Sequence, residues 1–366
     1  MRKLAFLSVA FALVAVSFYG CDETNPIEPE ARGASNGNDA GPEGSLAAAS
    51  FASYPETTSS TGVPMVILGD PDWPDDSYGR AINERGDVAG TCTPRELQEA
   101  CVWTSKGLIM LPQPDPRVVN ETYARAINNR GQIVGWWSAH SSWEPAVLWE
   151  KKRTAVMGTL GGDYGTATAI NNRGQTVGTA KNGEGYSRAF LWEREQMVEL
   201  GTVEGDETAV ATAINDQGQA VGYSSTPGVS YHAAMWYKGQ VVDLGLAPTS
   251  DRWRPVGINN RGQIVGNSSD RALLWEYGQF TDLGTFGGEY SASDVNERGQ
   301  IVGSSYASGN QHAFILEDGE MHDLGTLGGD ESFASGINNR GQVSGTAQDA
   351  SGRLLAVVWL TQFADF

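Results

Sequence analysis

The chain has 366 residues, with 25 Lys and Arg against 44 Asp and Glu and a formal net charge of −19. Such a balance favours solubility and argues against nucleic acid or an anionic membrane face as partner. The four histidines, His140, His232, His312 and His322, show no metal-ligand spacing and none stands beside a cysteine, so no metal site is expected.

The N-terminus carries the parts of an export signal. Arg2 and Lys3 precede an apolar run from Leu4 to Phe18, short of the roughly 20 residues that a spanning helix needs. The run ends in "FYGC", Phe18–Cys21, which resembles a bacterial lipobox, although Phe18 and Tyr19 stand where a Leu and a small residue are typical. The resemblance implies that residues 1–20 are a signal peptide, that Cys21 is acylated, and that the protein is a cell-envelope lipoprotein at the outer membrane or cell surface, or else is secreted. Residues 21–62 are rich in Pro, Gly, Ser, Ala and acid, and read as a disordered tether. The remaining cysteines, Cys92 and Cys101, flank a short loop, and an exported protein can oxidise such a pair; buried reduced thiols are the alternative.

Residues 63–366 are built from a repeat. The string "AINNRGQIVG", Ala126–Gly135, returns with small changes, and its first Asn recurs as Asn83, Asn128, Asn171, Asn215, Asn259, Asn296 and Asn338, at spacings of 45, 43, 44, 44, 37 and 42. A period near 43 fits four short strands, one propeller blade. The first strand ends at the Asn. Small residues two and four positions earlier, such as Ala167 and Ala169, suggest one crowded face of an innermost strand. "NNRGQ" is a turn in which the Asn bonds its own backbone and the unvarying Gly supplies φ > 0. "QIVG" opens the second strand and "AxxW" lies on the third. Its Trp, as in Trp103, Trp149 and Trp236, is expected to pack blade against blade. "DLG" or "ELG" ends the fourth. The chain begins this pattern with a lone fourth strand, Val63–Gly69, and ends it with a lone third, so the two complete one blade. The expected fold is therefore an all-β, seven-bladed propeller closed by N-terminal strand pairing with the C-terminal blade.

The segment His312–Gly345, "HAFILEDGEMHDLGTLGGDESFASGINNRGQVSG", resembles the repeat of extracellular HAF-repeat proteins, with the namesake triplet at His312, Ala313 and Phe314. The resemblance spans residues 63–366. It implies a bacterial exported repeat protein and brings no catalytic residues with it.

Function is expected on the face that carries the fourth-to-first and second-to-third loops, because these vary while "NNRGQ" does not. The candidates from the first set of loops are Trp73, Asp75, Asp163, Tyr164, Asp206, Trp253, Glu289, Tyr290 and Asp330. Those from the second are Trp136, Trp137, Tyr186 and Tyr306. Rings beside carboxylates suit sugar faces and hydroxyls, a basic peptide, or Ca²⁺, though nothing singles out Ca²⁺ and no cofactor is expected. "TLGGD" at Thr159–Asp163 and Thr326–Asp330 lacks the helix or Lys of a phosphate cradle and reads as a bend. No nucleophile motif occurs. The reading is a monomeric binding or adhesion module for a carbohydrate or protein ligand at the cell surface, touching the membrane only through a lipid anchor. A structural protein of the envelope and a carbohydrate-acting enzyme are the alternatives.

Overall fold

The computed structural model describes Phe51 and residues 53–361, apart from short stretches at 70–75, 95–96, 116–119, 139–142, 227, 229, 246, 248–251, 270, 287 and 308. Seven antiparallel sheets form a ring, each blade running from an inner to an outer strand. Blade 1, for example, comprises Ser77–Ile82, Val88–Cys92, Glu99–Thr104 and Gly107–Met110. The inner strand of blade 7 (Gly328–Ile337) contacts that of blade 1, which closes the circle. The seam is the expected one: β2 (Pro64–Ile67) pairs with Leu354–Leu360 as the outer strand of blade 7.

One boundary differs. β1 (Glu56–Thr58) pairs with β2 as a fifth strand, and Phe51 is fully buried among Val66, Leu68, Trp103 and Val358. The folded body thus begins by Phe51 instead of residue 63. A single aromatic anchor and three edge hydrogen-bonding residues hold a stretch whose composition reads as tether. Cys21 and the rest of residues 1–50 lie outside the described residues.

Apolar side chains gather into seven clusters, one for each interface between neighbouring blades. Trp103, Trp149, Trp236 and Trp359 are almost wholly buried in them, and Leu316 holds the equivalent place between blades 5 and 6. In three blades the residue before the third-strand Ala ties that strand to the acid of "DLG" or "ELG". His312 meets Asp323 at 2.8 Å, Arg271 meets Asp282 at 2.8 Å and Arg188 meets Glu199 at 3.1 Å. The HAF triplet is therefore a cross-strand fastening.

"NNRGQ" is accounted for atom by atom. In blade 3, Asn171 Oδ1 accepts from the N–H of Arg173 and of Gln175, both at 3.0 Å, and Gly174 takes φ 86°. Asn171 Nδ2 donates to Gln175 Oε1 at 2.8 Å and to the carbonyl of Asn215 in blade 4 at 3.0 Å. That last bond recurs from every blade to the next, at 3.0–3.2 Å, and returns from Asn338 to Asn83. A second circle follows one residue on. Each backbone N–H donates to the side-chain oxygen of its counterpart in the next blade, through Glu84, Asn129, Asn172, Asp216, Asn260, Glu297 and Asn339, at 2.7–3.0 Å.

The inner strands hold a correction. Each contains a β-bulge three residues before the Asn, where one residue has no partner on the second strand: Arg80, Arg125, Thr168, Thr212, Val256, Ser293 and Ser335. An extra residue shifts the side-chain phase by one. The two small residues that flank it therefore face opposite ways. Ala124 packs between blades 1 and 2 and Ala126 between blades 2 and 3; Ala167 and Ala169 repeat this one blade on. They do not share one face, as simple alternation implies. The bulge also explains the Gly of "QIVG". A Cβ at Gly90, Gly135, Gly178, Gly222, Gly266, Gly303 or Gly345 would lie 1.8–2.5 Å from a carbonyl oxygen of the inner strand.

Candidate functional site

The ring encloses an axial channel with two levels. At the "NNRGQ" end, a cavity of about 300 Å³ is lined by the Asn collar, by Ile82, Ile127, Ile170, Ile214, Ile258 and Ile337, and by Asp294. The collar carboxylates are committed to the ring: Glu84 accepts from Asn339, Asp216 from Asn172 and Glu297 from Asn260. Asp294 stands where other blades have Ala or Gly. It accepts from the N–H of Val295 and of Ile337, at 2.8 and 3.1 Å. Protein encloses it on nearly every side although a strip of its surface reaches the cavity, and burial pushes its carboxyl up to about 6 against the lowering effect of those two bonds. A carboxylate ringed by protein loses most of its hydration even when water touches one edge.

Towards the loop face the channel widens to about 480 Å³, and here the lining is the seven bulge residues with Ala292. The scaffold repeats around the circle but this layer does not. Arg80 and Arg125 sit on adjacent blades; Thr168, Thr212, Ser293 and Ser335 present hydroxyls; Val256 is apolar. The Arg80 guanidinium lies over the Tyr78 ring at 5.2 Å, and that of Arg125 over Trp136 at 5.1 Å. Trp136 stacks in turn on Tyr123, centroids 4.5 Å apart and planes 10° from parallel. Neither guanidinium has an ion pair with a described residue. Burial lowers the pKa of both, and the charge of Arg125 lowers that of Arg80 further. Arg125 is exposed by accessible surface yet surrounded by protein, the condition of a side chain inside a water-filled channel. Nearer the mouth, Tyr78 and Tyr123 donate to Asp76 and Glu121 at 3.1 and 2.8 Å. Across the ring, Arg254 lies over Tyr231 at 4.5 Å and over Tyr223 at 5.2 Å.

The loop candidates divide. Trp136 joins the channel group, and Tyr164 stands near enough for its titration to feel Arg125 and Glu144, its hydroxyl pKa raised chiefly by burial. Asp163, Tyr186, Glu289, Tyr306 and Asp330 are exposed, with Asp163 paired to Lys181 at 3.1 Å and Arg188 lying over Tyr186. Four others are corrected to structural roles. Trp137 points away from Trp136 by strand alternation and is buried between blades 1 and 2. Trp253 is buried against Phe280. Tyr290 is buried and donates to Asp282, and burial first and that bond second hold its hydroxyl protonated well above the usual range. Asp206 is buried and accepts from Ser224 at 2.7 Å, with His232 Nδ1 at 2.8 Å. Trp73 and Asp75 lie outside the described residues. Cys92 and Cys101 are joined by a disulfide across strands two and three of blade 1. The "TLGGD" threonines turn inward: Thr159 Oγ1 accepts from Gly161 N–H and donates to the Gly162 carbonyl.

Arg80 and Arg125 are what sequence reasoning missed. The signal was present in "YGRAIN" and "YARAIN", where a charged residue stands between two small ones, and in the Gly of "IVG" that marks the bulge.

The fold and its axial site define the class: a seven-bladed β-propeller with a polar central channel. No protein-family model matches the chain, and no curated protein matches it. Among solved structures it is similar to the β-propeller domain of the Trilobed protease from Pyrococcus furiosus, at 10% identity and TM-score 0.53, covering 80% of this chain and 100% of that one. That domain is described as having an open velcro topology, whereas here β2 closes the ring. The chain is also similar to puromycin hydrolase (13% identity, TM-score 0.53, covering 82% of this chain and 57% of that one). A third is the extracellular domain of a hybrid two component system from B. thetaiotaomicron (10% identity, TM-score 0.51, covering 80% and 41%). At these identities the likeness establishes the fold alone.

Proposed function

We propose that the protein is an exported, lipid-anchored binding module of the cell envelope, whose ligand seats in the channel mouth on the loop face. One observation carries the reading. On a scaffold that repeats seven times, the layer of bulge residues around the axis does not repeat, and it converges on a single polar cavity. A built asymmetry inside a rigid ring suits recognition. The export signal and the Cys92–Cys101 disulfide support an extracytoplasmic setting. The collar carboxylates, held by hydrogen bonds from the preceding blade, are poorly suited to acid–base work, which weighs against the enzymatic alternative.

The test is a glycan array probed with the full chain, with and without Ca²⁺, beside variants altered on the loop face (W136A) and on the turn face (R130A). Array signals lost in W136A and kept in R130A are expected. Signals lost only in R130A, or none at all, would defeat the reading.

A further inference from the structure

We propose that the axial cavity binds a sugar unit carrying a single carboxylate, with Arg80 and Arg125 holding that carboxylate. The proposal rests on the binding-module reading above and gives it a ligand class.

Acidic side chains outnumber basic ones by 44 to 25, and five arginines elsewhere are ion-paired: Arg85 with Asp87, Arg188 with Glu199, Arg271 with Asp282, Arg298 with Glu317, Arg353 with Asp349. Arg80 and Arg125 are not, although the chain has acid to spare. Two like charges on neighbouring blades, ringed by protein inside one channel and without a described counter-charge, repel each other. A bound anion offsets that repulsion. The backbone device that aims them is specific, because a bulge is what turns an inner-strand residue towards the axis.

The rest of the cavity narrows the class. A guanidinium presents a planar fork of donors that matches a carboxylate's two oxygens. The other blades present the hydroxyls of Ser293 and Ser335, which can donate and accept, and those of Thr168 and Thr212, which donate to the Ala211 and Pro255 carbonyls and keep an oxygen free to accept from a sugar hydroxyl. Trp136 and Tyr123 supply ring area beside Arg125. The volume, about 480 Å³, suits a ligand of one or two sugar rings. Asp76 and Glu121 at the mouth, with the overall charge of −19, disfavour a long polyanion, so a short acidic sugar fits better than an extended one.

The experiment is calorimetric titration of the full chain with digalacturonic acid, with its neutral counterpart galactobiose, and with inorganic phosphate as a free-anion probe. Digalacturonic acid is expected to bind, at least tenfold more tightly than galactobiose and than phosphate, and to weaken as salt rises. R80Q and R125Q should each cost tenfold or more. R125K, which keeps the charge and loses the fork, should fall between. R85Q on the turn face should change nothing. Thermal unfolding of each variant separates a lost site from a lost fold, and if one glutamine variant fails to fold, the other and R125K carry the test. Equal affinity for the acidic and neutral sugars would overturn the ligand class and leave the binding-module reading standing. Tight phosphate binding, or digalacturonate binding untouched in folded R80Q and R125Q, would overturn it too. No response to any probe, with an array also blank, would overturn both.

Discussion

Asn171→Ala tests whether the repeated string is architecture. The side chain makes four hydrogen bonds of 2.8–3.0 Å: two accepted by Oδ1 within its own turn and two donated by Nδ2, one of them to the next blade. Alanine leaves two backbone N–H groups without that partner. It also takes one of two donors from the Asn215 carbonyl, which keeps Gly218 N–H. Gln175 Oε1 keeps Arg173. Each orphaned buried group costs about 1–3 kcal/mol. The turn lies near solvent, so its N–H groups fall at the low end, and about 3–4 kcal/mol is expected in all. The assay is urea unfolding followed by tryptophan fluorescence, with a lower midpoint at unchanged slope. Arg173→Ala is the control: that guanidinium is exposed and donates only within the same turn, so less than about 0.5 kcal/mol should be lost. An N171A protein within about 1 kcal/mol of wild type, or one no worse than R173A, would refute the reasoning.

Gly135→Ala places a Cβ 1.8 Å from the Tyr123 carbonyl oxygen and should destabilise by about 3 kcal/mol or more. Gly183→Ala, with nothing within 4 Å, should stay within about 1 kcal/mol of wild type by the same measurement. Asp294 holds its proton more tightly folded (pKa about 6) than an unperturbed aspartate does (about 3.9). Its contribution to stability therefore falls as pH rises from about 4 through 6. The unfolding free energy of wild type minus that of D294N should decline by roughly 2–3 kcal/mol across that window, and a flat difference would count against the burial of the carboxylate. Replacing both Cys92 and Cys101 by Ala should cost about 2–3 kcal/mol in urea, and intact mass before and after reduction and alkylation should report one bond between them.

The architecture was legible because its signals are local and recur. A glycine needed for φ > 0, an Asn that bonds its own turn, and a Trp at one phase of each repeat report the blade and its count. The split blade at the seam was legible for the same reason. The site was less so. Trp136 and Trp137 are neighbours in sequence, and alternation sends one to the channel and the other into the core. Tyr290 and Trp253 look like loop aromatics but lie at the start of, or just before, an inner strand, where the sheet buries them. Arg80 and Arg125 were hidden by the bulge. Period two assigns them to a face of the sheet, and only the added residue turns them to the axis. β1 escaped notice because three residues in a Ser- and Thr-rich stretch carry no period.

The clasp of seven asparagines has an electrostatic consequence. Every amide points the same way around the circle, so the dipoles run head to tail and their components in the plane of a closed, near-symmetric ring cancel. The circulation also takes no notice of the chain's ends, since the bond from Asn338 to Asn83 is made like the other six. The clasp therefore marks no blade as first. Within the channel the blades are told apart by the side chains that break the repeat: the arginines of two adjacent blades on the loop side and Asp294 on the other.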